Sequence, residues 1–134
     1  MIKSIAAGAL YFVFVFAIAF ALGAVRVSFV APVTGAVWAT ALELPFTLAA
    51  SWVVTTGVMR RAGITTLRPA VAMSATAFVL LMGAEAAGAM LIFGRTFGEH
   101  LQSFATPAGA LGLAGQIVFG LFPVVQVQRA ARGA

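Results

Sequence analysis

An all-α, membrane-spanning four-helix bundle is the fold this 134-residue sequence predicts, and three observations predict it. Hydrophobic residues make up 63% of the chain and charged residues 8%, too few to cover a water-soluble domain of this size. The apolar residues fall into separate stretches of about twenty or more, the length a helix needs to cross a hydrocarbon core of about 30 Å. Within them there is none of the polar/apolar alternation that a membrane β-strand requires.

The punctuation places each span. The first is expected over residues 4–25. Lys3, the apolar run and the small residues Ala21-Leu22-Gly23-Ala24 also have the look of a secretory signal, but the run is longer than a signal's apolar segment, so a retained helix is expected. A link carrying Arg26, with Pro32 as a helix-opening proline, leads to a second span over 34–59, closed by Arg60-Arg61. Pro69 sits where a first helical turn tolerates a missing N–H and opens a third span over 69–93. Thr106 is the expected N-cap of a fourth span over 106–127, which stops before Arg129 and Arg132. The whole chain, 1–134, reads as one transmembrane domain.

Charge sets the orientation. Lys3, Arg60, Arg61, Arg68, Arg129 and Arg132 fall on one side of the spans, and Arg26 and Arg95 on the other. The bias places both termini in the cytoplasm and argues against insertion in both directions. The net charge of +5 therefore reports topology and contact with anionic headgroups rather than nucleic-acid binding. The absence of Cys excludes disulfides and thiolate metal sites.

Polar residues inside the spans are the candidates for function. Glu43 lies about 12 Å from the external end of the second helix, and Glu85 on the third and Gln116 on the fourth lie about 13 Å from that end, so the three share one depth. A lone ionised carboxylate in hydrocarbon costs several kcal/mol, so roughly speaking this layer must face protein or a cavity and pair there. Ala36, Thr40, Glu43, Thr47 and Ala50 form one small or polar stripe, with Trp38, Leu42, Phe46 and Trp52 elsewhere around the axis. Ala108, Gly112, Gln116 and Gly120 recur on the fourth span, and Leu81, Glu85, Gly88 and Ala89 group on the third. Phe12, Phe16 and Phe20 read as a stripe turned outward.

Pro45 and Pro123 lie inside helices, where each removes a donor and should bend its helix. Arg26 either reaches down toward Glu43 or snorkels to headgroups, and the second is the simpler expectation. Glu99-His100 with Arg95 reads as a solvated pair in the external loop rather than a metal site. With one His in the chain, a bis-His haem bundle and a Glu-x-x-His di-iron site are both ruled out, and neither metal nor cofactor is expected. No catalytic set or phosphate loop is visible, so no enzyme activity is expected.

At Gly23-Ala24-Val25-Arg26, Pro32-Val33-Thr34-Gly35, Ala41-Leu42-Glu43-Leu44-Pro45 and Gly98-Glu99-His100-Leu101 the chain resembles small four-span inner-membrane proteins of proteobacteria. That resemblance implies a bacterial inner membrane and carries no activity with it. Small multidrug-resistance transporters hold their coupling glutamate in the first helix, which has no acid here. The Thr/Ser/Phe-rich third helix of dual-topology fluoride channels has no counterpart in residues 73–93. The sequence therefore points to an accessory or structural subunit of a larger membrane complex, touching lipids and either other subunits or itself. The alternative is a homo-oligomeric, proton-coupled transporter or channel using Glu43 and Glu85.

Overall fold

A computed structural model of the protein describes residues 1–133, which are helical throughout apart from short links. The helices are α1 (Ile2–Thr34), α2 (Ala36–Ala62), α3 (Leu67–Leu91), the short α4 (Phe97–Ser103) and α5 (Pro107–Gly133). All but α4 are long and apolar enough to cross a membrane.

The first helix runs further than its sequence implies. The predicted break at Arg26 is absent, and Pro32 belongs to the end of the first span rather than the start of the second. α1 is α-helical over Ile2–Val25, π-helical over Arg26–Val30 and α-helical again over Ala31–Thr34. Pro32 has no N–H to give, and the wide turn before it accommodates that loss: the N–H of Ala31 reaches back five residues to the carbonyl of Arg26. The chain turns only at Gly35, whose φ of 87° favours glycine. One residue thus joins two long antiparallel helices.

The other ends have identifiable causes. α2 stops at Gly63 (φ 70°), where the N–H of Ile64 donates to the Met59 carbonyl at 3.0 Å and tucks the Ile64 side chain into the core. α5 opens at Thr106, whose hydroxyl accepts from the N–H of Gly109 at 3.1 Å. The segment read as an external loop holds α4. A reciprocal capping box starts it: the N–H of Thr96 donates to Glu99 Oε1 at 3.0 Å, and the N–H of Glu99 donates to Thr96 Oγ1 at 3.1 Å.

Around the bundle the order is α1, α2, α5, α3, so α2 and α3, consecutive in the chain, stand on a diagonal. Tyr11, Val15, Met73, Ala77, Leu81 and Phe119 close the centre. α1 contributes Ser4, Ala7, Gly8, Tyr11 and Val15 to its buried face. This corrects the outward phenylalanine stripe: Phe12 and Phe16 rest against the core, and only Phe20 is exposed. The cause is Gly8. A Cβ there would lie 2.6 Å from the Met73 carbonyl oxygen, so only glycine lets α1 and α3 meet this closely, and that contact turns the Gly8 and Tyr11 side of the helix inward.

Candidate functional site

Glu43 and Glu85 each lie seventeen residues from an arginine at the basic end of their helix, Arg60 and Arg68, or about 25 Å along the axis. Gln116 lies on α5 at the side facing α3. The polar layer is therefore displaced toward the end that carries Arg26, Arg95 and Glu99.

The Gly35 turn explains the first pair. Arg26 is nine residues before it and Glu43 eight after it, so the α1–α2 hairpin brings the two level. Arg26 Nη1 lies 2.7 Å from Glu43 Oε2, with the arginine side chain 34% exposed and the glutamate 14%. The simpler expectation for Arg26, a side chain reaching only to headgroups, gives way to this ion pair. The guanidinium approaches out of line for a hydrogen bond, and Oε2 is buried without an aligned donor.

The second pair bridges α3 and α5. Gln116 Nε2 donates to Glu85 Oε2. The two carboxyls do not hydrogen-bond each other; each takes a partner on an adjacent helix, while remaining within electrostatic reach of one another. The arrangement can therefore do two things chemically: clasp neighbouring helices, or respond as a coupled set to a change of charge.

The residues between α3 and α5 separate. His100 is buried, edge-on to Phe104 at a ring distance of 5.1 Å, and is not the solvated partner of Glu99 that the sequence implies. The reason is α4 itself, whose capping box fixes Glu99 outward and turns His100 in. The Thr96 backbone N–H and side chain hold the Glu99 carboxyl below the usual carboxylate range. Arg95 is exposed and adds a weaker pull in the same direction.

Several expected packing positions also shift. Ala36 is exposed and Ala39 and Thr40 are buried, because α2 starts only after the Gly35 turn and its first turn stands clear of the neighbouring helices. Gly112 faces open space. Between long helices the close approaches on α5 are Gly115 against the Leu44 side chain, which the stripe did not include, and Gly120 against Phe78, which it did. Pro45 lies on the exposed side of α2, whereas Pro123 is fully buried.

Two features escape the sequence reading. Tyr11, fully buried on α1, stacks on Phe119 of α5 at a centroid distance of 4.3 Å. Its signal was present in Ser4, Gly8, Tyr11 and Val15, a helical stripe of small and amphipathic residues inside a uniformly apolar run. Gln126 donates to the Trp52 carbonyl at 3.1 Å and to Thr56 Oγ1 at 2.9 Å, tying α5 to α2 near the basic end. An amide in the last turns of an apolar helix was the available signal.

No family model matches the chain, and no curated protein or solved structure matches it either.

Proposed function

We propose that this is a multi-pass protein of a proteobacterial inner membrane, with both termini cytoplasmic, serving as a small accessory or structural subunit of a larger membrane assembly. The observation that carries this reading is the pairing of both acids of the long helices, Glu43 with Arg26 and Glu85 with Gln116, across adjacent helices above a closed centre of Tyr11, Met73 and Phe119. Acids held this way strengthen helix–helix contact in a medium that offers no water to replace their partners. Exposed aromatics such as Trp38, Phe46 and Phe14 suit acyl chains and the helices of other subunits. The six Lys and Arg residues at one end against Arg26 and Arg95 at the other support the orientation.

Extraction in a mild detergent followed by native mass spectrometry tests the function. Defined stoichiometric partners of different sequence are expected; a pure homodimer would favour transport. Cysteines introduced at Gly98 and at Arg61 test the orientation, since an impermeant maleimide applied from outside should label only the first.

The second reading, a homo-oligomeric proton-coupled transporter or channel, draws on one observation. Glu85 hydrogen-bonds Gln116 across α3 and α5, which leaves one carboxyl within the spans paired to a neutral amide rather than to a cation, the kind of acid a proton-coupled cycle would use.

A further inference from the structure

Beside the polar layer a groove of about 190 Å³ runs between α1 and α2. Its walls are Leu22 and Val25 on α1 and Leu42 and Phe46 on α2, and both members of the ion pair, Arg26 and Glu43, line it as well. Val25, Leu42 and Phe46 are exposed, so the groove lies on the outer flank of the hairpin, where acyl chains reach it. The π-helical turn shapes it: Arg26 and Val30, the first and last residues of that turn, are both in its lining. Such turns widen a helix locally and recur at functional sites.

The arginine has donors to spare. Its side chain stays 34% exposed, and Nη1 meets Glu43 out of line. A guanidinium carries five N–H donors, and no aligned acceptor for those of Arg26 is present among the described residues. Donors left this way within a membrane require an acceptor from outside the chain. Depth narrows the choice. Glu43 lies about 25 Å along α2 from Arg60, so with Arg60 at one edge of a hydrocarbon core about 30 Å thick the pair sits about 5 Å inside the other. The glycerol esters of a bilayer lipid begin at that edge. Charge narrows it further, because Glu43 already balances the guanidinium. A neutral carbonyl fits there, whereas a second anion would be repelled by the carboxylate.

We propose that this groove holds one acyl chain of a diacyl phospholipid, with Arg26 donating to the ester carbonyl of that chain. The inference rests on the multi-pass membrane reading above and goes beyond it, assigning one lipid functional group to one residue.

The test uses the full chain and two phosphatidylcholines of equal chain length, a diester and a diether that lacks the carbonyls. Flotation with vesicles of the diether alone scores insertion. Native mass spectrometry after mild extraction from an equal mixture scores which lipid stays bound, and the diester should be retained about tenfold over the diether. Arg26→Leu combined with Glu43→Leu removes the donors without leaving an unpaired charge and should abolish that preference. Leu42→Trp, or Val25→Trp should the first fold poorly, narrows the groove while keeping the ion pair and should lower the retained diester to the diether level. Equal retention of the two lipids by the unaltered protein, or a preference undiminished in the paired leucine variant, would overturn the site while leaving the membrane reading intact. Failure to float would overturn both.

Discussion

The hydroxyl of Tyr11 donates a 2.7 Å hydrogen bond to the main-chain carbonyl of Phe119, the carbonyl that Pro123, four residues on, leaves without a helical donor. The bond crosses the bundle diagonal from α1 to α5, with Ser51 and Thr55 of α2 beside the same hydroxyl. A proline that would leave an orphaned carbonyl in an apolar interior is thus tolerated because a tyrosine on another helix supplies the missing proton. Tyr11→Phe should destabilise the bundle by about 1 to 3 kcal/mol. In a Pro123→Ala background the helix regains its own N–H, so the same change should cost much less. Denaturation titrations of the four proteins in detergent micelles measure this coupling; an equal Tyr11→Phe loss in both backgrounds would show that the carbonyl is not what the hydroxyl serves.

Glycine positions should respond according to what they meet. Gly8 presses on the α3 backbone, so Gly8→Val should separate α1 from α3 and cost about 1 to 3 kcal/mol. Gly112 meets nothing, and Gly112→Ala should be neutral or stabilise by up to about 1 kcal/mol through helix propensity alone. The same titrations rank the two, and a Gly112→Ala loss as large as that of Gly8→Val would contradict the packing described.

Acidity should loosen α4 before the bundle. The Glu99 carboxyl is held below its ordinary value of 4.5, so its unfolded-state pKa lies above its folded one. The stabilisation it gives is then complete above the unfolded value and fades as pH falls through the lowered folded value. Amide protection across Phe97–Ser103, taken relative to the intrinsic exchange rate at each pH, should therefore fall on acidification below that usual value, and Thr96→Val should remove most of that change. Protection that stays constant through this range in the unmodified protein would argue against the capping box.

The architecture was legible because long apolar runs admit few structures, and the shared depth of Glu43, Glu85 and Gln116 followed from counting along helices. What stayed hidden has a common cause. In a uniformly apolar helix the buried and outward faces look alike, so the inward turn of Phe12 and Phe16 depended on Gly8, whose role shows only against Met73 of another helix. Pro32 looked like punctuation because sequence rules treat proline as a boundary, whereas the π-helical turn at Arg26–Val30 carries the helix through it. That continuation sets the hairpin length, and the hairpin length brings Arg26 to Glu43. The Thr96-x-x-Glu99 capping box was readable as a helix start, and with it the inward turn of His100.

The central claim is that the buried acids hold helices together and do not carry protons. Glu43→Gln keeps a polar group of the same shape against Arg26, and Glu85→Gln keeps an oxygen able to accept from Gln116, so both variants should retain the fold and recover the host assembly nearly as well as the unaltered protein. The decisive measurement is proton flux into vesicles reconstituted with each protein, read by an enclosed pH dye under an imposed proton gradient, alongside recovery of the assembly. The account predicts the same background flux for all three proteins with normal recovery. A flux carried by the unaltered protein that vanishes in Glu85→Gln, with its fold intact, would contradict it.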